Sequence, residues 1–316
     1  MNAAFAPELS SAPGFSRLLT MEGHGSREPW TESRSREVCR ELEAGHIVYF
    51  PNSPIVIPDD DRELLLGRKQ TSSAYHKNIA YRPLDDRVTG LDREDAQEAD
   101  NLRRILSEYS RQSVEFLGKF LIPYAGQWKL EFASFRPIEE KGRPARVHAR
   151  NDLLHFDSFP TRPTNGARIL RFFTNINPIE NRVWLTSQTF EAFGPRMVES
   201  GGLSKSLTNP FVRGFNLLAR ALRIRKTDFS PYDDLMHHYH NRMKEDTHFQ
   251  QTTPKMRWEF PPNSAWMVYT DCVSHAVYSG QYALEQTLLI PQGALVDPQR
   301  SPLAILESVT GRRLTV

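Results

Sequence analysis

The sequence predicts an α+β fold that is mainly β: a sandwich or barrel, preceded by a helical region and interrupted by a helical insertion. Three observations predict it. From about residue 128 onward, short runs rich in aromatic and β-branched residues recur at 128–136, 167–177, 183–189, 265–270 and 282–290, most of them bounded by Pro, Gly or Asn. Most of these runs follow one another without an intervening helix, unlike an alternating βαβ sheet. Before them, apolar residues at spacings of three and four mark one long amphipathic helix.

Taken in order, residues 1–30 mix Ser, Pro, Gly and Glu without periodicity and read as a flexible arm. Residues 34–45 read as a helix stopped by Gly45, 46–51 as a short strand and 60–67 as a short helix. Residues 69–92 are polar and irregular, crowding Lys69, Tyr75, His76, Lys77, Asn78, Tyr81 and Arg82 together. The long helix covers 93–120. Leu102, Ile105, Leu106, Tyr109, Phe116, Leu117 and Phe120 form its apolar face, and Pro123 ends it. Residues 191–250 read as the helical insertion. The expected organisation is an arm (1–30), a helical region packed on the core (31–122) and the β core (123–316).

Composition narrows the functional classes. A chain of 316 residues suffices for one large catalytic domain with extensions, or for two small domains. A net charge of +2 argues against nucleic acid as a partner. Two distant cysteines, Cys39 and Cys272, make neither a disulfide framework nor a cysteine-rich zinc site, and are expected as reduced, partly buried thiols. The N-terminus lacks signal-peptide character, and no apolar stretch reaches about 18 residues. The expectation is therefore a cytoplasmic protein, soluble or peripheral to a membrane.

The informative segment is His155-Phe-Asp-Ser-Phe159. On a strand, residues two apart project to one face, so His155 and Asp157 present an imidazole and a carboxylate together. His275, in Cys272-Val-Ser-His-Ala-Val-Tyr-Ser-Gly280, is the candidate for a third ligand at long range. Two histidines and one carboxylate on one face leave three positions open on an octahedral iron(II), the ligand set of non-haem iron oxygenases. A second histidine cluster, His237, His238 and His240, lacks the i,i+4 histidine pair of a helical zinc site because position 241 is Asn. It is expected to be a polar face near the substrate or exposed to solvent.

This layout, with His-x-Asp early and a second His 118 residues after Asp157, resembles the iron(II)/2-oxoglutarate oxygenase superfamily. The resemblance implies a double-stranded β-helix core (jelly roll, cupin-like), with 2-oxoglutarate chelating the metal and dioxygen taking the remaining position. Such a site needs a cation for the far carboxylate, ideally arginine. Many superfamily members place that arginine about eleven residues after the distal His, where this chain has Gln286. Alternatives stand on the strand after His-x-Asp. Arg168 and Arg171 are three apart and face opposite sides, so only one can enter the barrel, and Arg171 is preferred.

Residues 210–226 are basic and amphipathic, suiting an anionic membrane surface or an anionic substrate. At a finer level, His155-Phe-Asp-Ser-Phe-Pro160, Arg168-Ile-Leu-Arg-Phe-Phe-Thr-Asn-Ile-Asn-Pro178 and Ser274-His-Ala-Val-Tyr-Ser-Gly-Gln-Tyr-Ala-Leu-Glu-Gln-Thr287 resemble the Kdo (3-deoxy-D-manno-oct-2-ulosonic acid) hydroxylase family. That resemblance implies hydroxylation at carbon 3 of a Kdo residue on a lipid A precursor, giving the Ko sugar of the lipopolysaccharide inner core. It implies work at the cytoplasmic face of the inner membrane, with iron(II), 2-oxoglutarate and dioxygen, and with ascorbate as a supporting reductant. The rival readings are an oxygenase of the same superfamily acting on a soluble metabolite, a non-catalytic jelly-roll binding protein, and a cupin-type zinc hydrolase.

Overall fold

Alternating inward and outward side chains on the short strands require two facing sheets, and the computed structural model builds them. It describes residues 12–21, 30–68, 78–91, 95–200 and 229–315. Eleven strands occur among these: β1 (Leu18–Thr20), β2 (Ile47–Phe50), β3 (Ile79–Arg82), β4 (Arg87–Thr89), β5 (Lys129–Arg136), β6 (Arg168–Asn175), β7 (Arg182–Thr189), β8 (Met256–Phe260), β9 (Ala265–Tyr269), β10 (Val273–Ser279) and β11 (Ala283–Ile290). The large sheet runs β1-β2-β9-β6-β11-β5-β3-β4 and the small one β10-β7-β8. Between them, Phe173 of β6 stacks on Trp266 of β9 (centroids 5.2 Å apart), which stacks on Phe260 of β8 at 3.9 Å. Trp184 of β7 meets Phe173 edge-on at 4.9 Å. This two-sheet core is the expected jelly roll.

The helices are α1 (Glu32–Glu43), α2 (Asp59–Gly67), α3 (Ala96–Phe120), α4 (Phe190–Ser200), α5 (Pro231–Glu245), α6 (Thr247–Thr252) and α7 (Pro302–Thr310). Gly45 follows the end of α1 at φ +88°, where a Cβ would come within 2.8 Å of Thr189, so the expected stop is both a conformational and a packing requirement. The apolar stripe of α3 covers the outer face of the large sheet. Tyr109 Oη lies 3.3 Å from Thr174 Oγ1, and Phe116 packs 5.8 Å from Phe172. Pro123 sits in a 3₁₀ turn, Ile122–Tyr124, just past the helix.

Several expectations need correction. Within the expected arm, Leu18–Thr20 pairs in parallel with β2, a strand too short for alternation to reveal. Within the irregular stretch 69–92, β3 and β4 form a hairpin attached to β5. Residue 123 is consequently no seam, since β2, β3 and β4 share the large sheet with the core. The strand and helix runs legible in the sequence also omit β8, β10 and α7. The basic segment 210–226 and Lys69 to Lys77 lie outside the described residues. The helical insertion is described as α4, α5 and α6.

Arg168 fixes the end of the core. It is fully buried, donates from Nε to Asp271 Oδ2 at 2.8 Å, and lies 4.1 Å over the Tyr269 ring. Removing only the carboxylate leaves a buried unpaired cation, so Asp271→Ala is expected to cost about 3–5 kcal/mol in denaturant unfolding. A loss below about 1 kcal/mol would place the pair in the class of weak surface bridges instead.

Candidate metal centre

The extended segment 155–157 is held at the edge of the small sheet. His155 N donates to His275 O at 3.1 Å, and His275 N donates back to His155 O at 3.0 Å. Asp157 N donates to Thr270 O at 2.8 Å. His155 therefore lies in a single β-bridge with β10 rather than in a continuous ladder. Extended backbone keeps the two-residue alternation all the same: His155 Nε2 lies 3.5 Å from Asp157 Oδ1. The ring of His275 is centred 4.6 Å from that of His155 and stacks on Trp184 at 5.2 Å.

A third imidazole arrives from α5. A capping box between Ser230 and Asp233 starts that helix, and Asp233 also accepts from Thr164 N at 2.7 Å, tying the helix to the loop after Asp157. His240 stands edge-on to His155 at 4.9 Å, and its Nδ1 bonds to Phe156 O at 2.8 Å. Ligand atoms of His155, Asp157 and His240 all lie within 4.8 Å of one another. The histidine cluster divides: His237 and His240 line the cavity with Asn241 and Lys244, His238 is exposed, and Leu235, Met236, Tyr239 and Met243 on the same helix are buried. His240 thus joins the ligand cluster that the missing i,i+4 histidine pair argued against.

All three imidazoles are set up alike. Nδ1 of His155 faces Leu153 O at 2.7 Å, that of His275 faces Val273 O at 2.9 Å, and that of His240 faces Phe156 O. A carbonyl only accepts, so each Nδ1 carries the proton and each Nε2 keeps its lone pair, as a metal ligand requires. Burial, above all, lowers the proton affinity of His155 and His275, and pushes His240 down to about 4. Burial alone would raise Asp157, but the Arg171 charge holds its carboxyl well below the usual range. Three neutral imidazoles, one carboxylate and no thiolate fit a divalent metal of the iron(II) type. Cys39 and Cys272 are free and buried.

Beyond these ligands the cavity holds about 550 Å³ and is lined by Arg136, Arg171, Arg182, Phe173 and Trp184, among others. Arg171 Nη2 lies 3.2 Å from Asp157 Oδ2 and its Nε lies 3.3 Å from Glu285 Oε1. Arg136 Nε donates to Glu285 Oε2 at 2.8 Å. Burial opposes ionisation of Glu285, but these two arginines bring it down to about 2. Two cations thus face two anions. Arg182 makes no ion pair among the described residues. Its Nη1 donates to Gly280 O at 2.9 Å, while Nε and Nη2 are buried without a hydrogen bond. Burial, with Arg136 nearby, lowers it to about 10, still charged at neutral pH.

The other sequence candidates fall elsewhere. Register pairs Gln286 with Phe172, on the sheet face covered by α3, and its amide donates to Thr287 O at 2.8 Å. Residues paired across an antiparallel ladder share a face, so position 286 points away from the cavity while Arg171, Phe173 and Glu285 point toward it. Arg168 has the wrong parity as well and is held by Asp271. Sequence reasoning missed Arg182 because it started that strand one residue late, at 183. Parity with Trp184 would have found it.

Comparison with known proteins agrees with this geometry. A search of curated protein sequences finds no match. Among solved structures, the chain is similar to the Kdo hydroxylase KdoO, a non-haem Fe(II) α-ketoglutarate-dependent dioxygenase. With α-ketoglutarate and Fe(III) bound, that structure shares 29% identity at a TM-score of 0.81, covering 94% of this chain and 97% of the other. The cobalt(II) complex gives 29% identity and a TM-score of 0.82 over the same 94% and 97%. The family model described as 3-deoxy-D-manno-oct-2-ulosonic acid (Kdo) hydroxylase matches residues 26–313. With a jelly roll, converging imidazole and carboxylate ligands, and a match over nearly its whole length, this chain belongs to the Kdo hydroxylase family.

Proposed function

We propose that this protein hydroxylates carbon 3 of a Kdo residue on a lipid A precursor, forming the Ko sugar during lipopolysaccharide inner-core assembly. His155, Asp157 and His275 would hold the iron(II). The observation that carries the reading is the cavity itself: its lining brings together neutral imidazoles, an ionised carboxylate and a guanidinium with unpartnered N–H groups. Iron(II) with bound 2-oxoglutarate would supply the oxidising chemistry: 2-oxoglutarate is lost as succinate and carbon dioxide, one atom of dioxygen going to succinate and the other into the C–H bond.

The protein's own residues do the positioning. Arg171 keeps Asp157 ionised and oriented through its contact with Oδ2. Arg182 would take the far carboxylate of 2-oxoglutarate. It stands two residues along β7 from Trp184, a strand rise of about 7 Å, and Trp184 stacks on His275. Arg171, the anchor expected from sequence, already faces Asp157 and Glu285. Phe173, Trp184 and Val277 line the cavity and would shield the reacting centre from water. Arg162 and Lys244 at the same cavity suit the sugar carboxylate. A second cavity of about 460 Å³ shares Arg162 and adds Arg82 and Lys129, which suits the anionic groups of a glycolipid.

No helix among the described residues is long and apolar enough to cross a membrane. Work at the cytoplasmic membrane surface would therefore rest on peripheral binding through basic groups, including the segment 210–226. The test uses the Kdo-bearing lipid A precursor and free Kdo side by side, with iron(II), 2-oxoglutarate and ascorbate. The expected result is a glycolipid heavier by one oxygen, with the new hydroxyl on carbon 3. Hydroxylation of free Kdo alone would select a soluble substrate.

A further inference from the structure

His240 has no part in the three-ligand site that defines this class, yet it is built into the same cluster. Its Nδ1–H is anchored on Phe156 O, the carbonyl between the two ligands His155 and Asp157. Its ring meets that of His155 edge-on at 4.9 Å. One ligand atom from each of His155, Asp157 and His240 fits within a 4.8 Å span. The anchoring fixes the tautomer, so the Nε2 lone pair is the atom offered to the cluster. Two device-like features hold the ring there. Helix α5 is tied by Asp233 to Thr164 and Asn165 of the loop that follows Asp157. His237, one turn earlier, lies parallel to His240 with centroids 6.3 Å apart and bonds to Asn241 at 3.1 Å.

A metal held by His155, Asp157 and His275 offers three further positions, and 2-oxoglutarate needs two of them. An imidazole whose ligand atom lies within 4.8 Å of those of His155 and Asp157 would take either a position that the chelate needs or the one that dioxygen needs. We propose that His240 is an exchangeable fourth ligand: it occupies one open position of the metal before the co-substrate arrives and is displaced when 2-oxoglutarate chelates. The inference rests on the three-ligand reading above and concerns the remaining positions of the same ion. Its consequence is a metal held more tightly at rest, and co-substrate binding that works against a protein ligand.

Such a competition has a signature that neither a structural nor a co-substrate-binding role produces. Removing His240 weakens metal binding and strengthens binding of 2-oxoglutarate to the metal-loaded protein, because nothing has to be displaced. The test variant is His240→Asn, whose side-chain amide can still donate to Phe156 O while lacking Nε2. A thermal midpoint close to that of the wild type checks that α5 remains docked. Cobalt(II) and then 2-oxoglutarate are titrated calorimetrically into both proteins. The expected outcome is cobalt affinity reduced about tenfold and 2-oxoglutarate affinity raised by a comparable factor. Unchanged cobalt affinity, or a loss in both affinities, overturns the proposal.

Proton NMR of the cobalt(II) wild-type protein gives an independent reading without substitution. The three Nδ1–H groups are each bonded to a carbonyl, so a ligated ring keeps an observable, paramagnetically shifted N–H signal. Three such signals are expected before 2-oxoglutarate and two after it; two from the outset contradicts the exchange. His275→Asn separates the failures. If it binds cobalt as the wild type does, the three-ligand reading fails whatever His240 shows. If it loses cobalt while His240→Asn does not, only the exchange fails.

Discussion

His155→Ala is expected to lose metal binding and with it turnover, while the fold persists. His155 is buried beside Asp157, with Nε2 3.5 Å from Oδ1, and it sits where the 155–157 segment meets β10. The backbone bridge to His275 does not involve the ring, so alanine preserves it. What disappears is one of two adjacent ligands. Changes to groups that merely orient a ligand already cost about 10–100-fold, so losing the ligand itself should exceed that range in both metal affinity and kcat. Asp157→Asn should do the same by a second route, since it also leaves Arg171 facing a neutral amide in a buried setting. Metal binding measured by calorimetry, together with circular dichroism, separates the two explanations for an inactive protein. A folded His155→Ala protein with wild-type metal affinity and turnover would contradict the ligand assignment.

Arg182→Met should raise the KM for 2-oxoglutarate by about 100-fold, the equivalent of two charge-assisted hydrogen bonds at roughly 1.5 kcal/mol each. Its stability effect should run the other way. Arg182 is a buried cation whose Nε and Nη2 have no hydrogen-bond partner in the protein, and such a group is costly to hold in a folded protein. The methionine variant should therefore unfold no earlier than the wild type, yet gain little stability from added 2-oxoglutarate. Arg171→Met provides the comparison. It removes a partner of both Asp157 and Glu285, so it should damage metal affinity and stability before co-substrate binding. If Arg182→Met leaves KM within about threefold and Arg171→Met raises it, the anchor is Arg171, as the sequence alone suggested.

What could be read from the sequence follows from which constraints are local. The strand cores, the apolar stripe of α3 and the pairing of His155 with Asp157 depend on period and parity, and these are written along the chain. The side on which Arg168, Arg171 and Gln286 fall was not readable. Parity says only that Arg168 and Arg171 face opposite ways. It takes the pairing of Gln286 with Phe172, and α3 lying over that face, to say which side is the cavity. His240 was readable as part of a polar stripe on a helix, but the docking of α5 through Asp233 is a long-range hydrogen bond that no local pattern announces. The three-residue strands β1 and β4 carry too few side chains to show an alternation at all.

The most direct measurement is the fate of labelled dioxygen. The protein is incubated with iron(II), 2-oxoglutarate and the Kdo-bearing lipid A precursor under heavy-isotope oxygen gas, and both products are weighed. The expected result is succinate formed only when the glycolipid is present, with one labelled oxygen in succinate and the other in the hydroxylated sugar. Succinate and sugar both without label, or a glycolipid left unchanged by a protein shown to hold iron, would contradict the assignment of this cavity as an oxygenase site for Kdo.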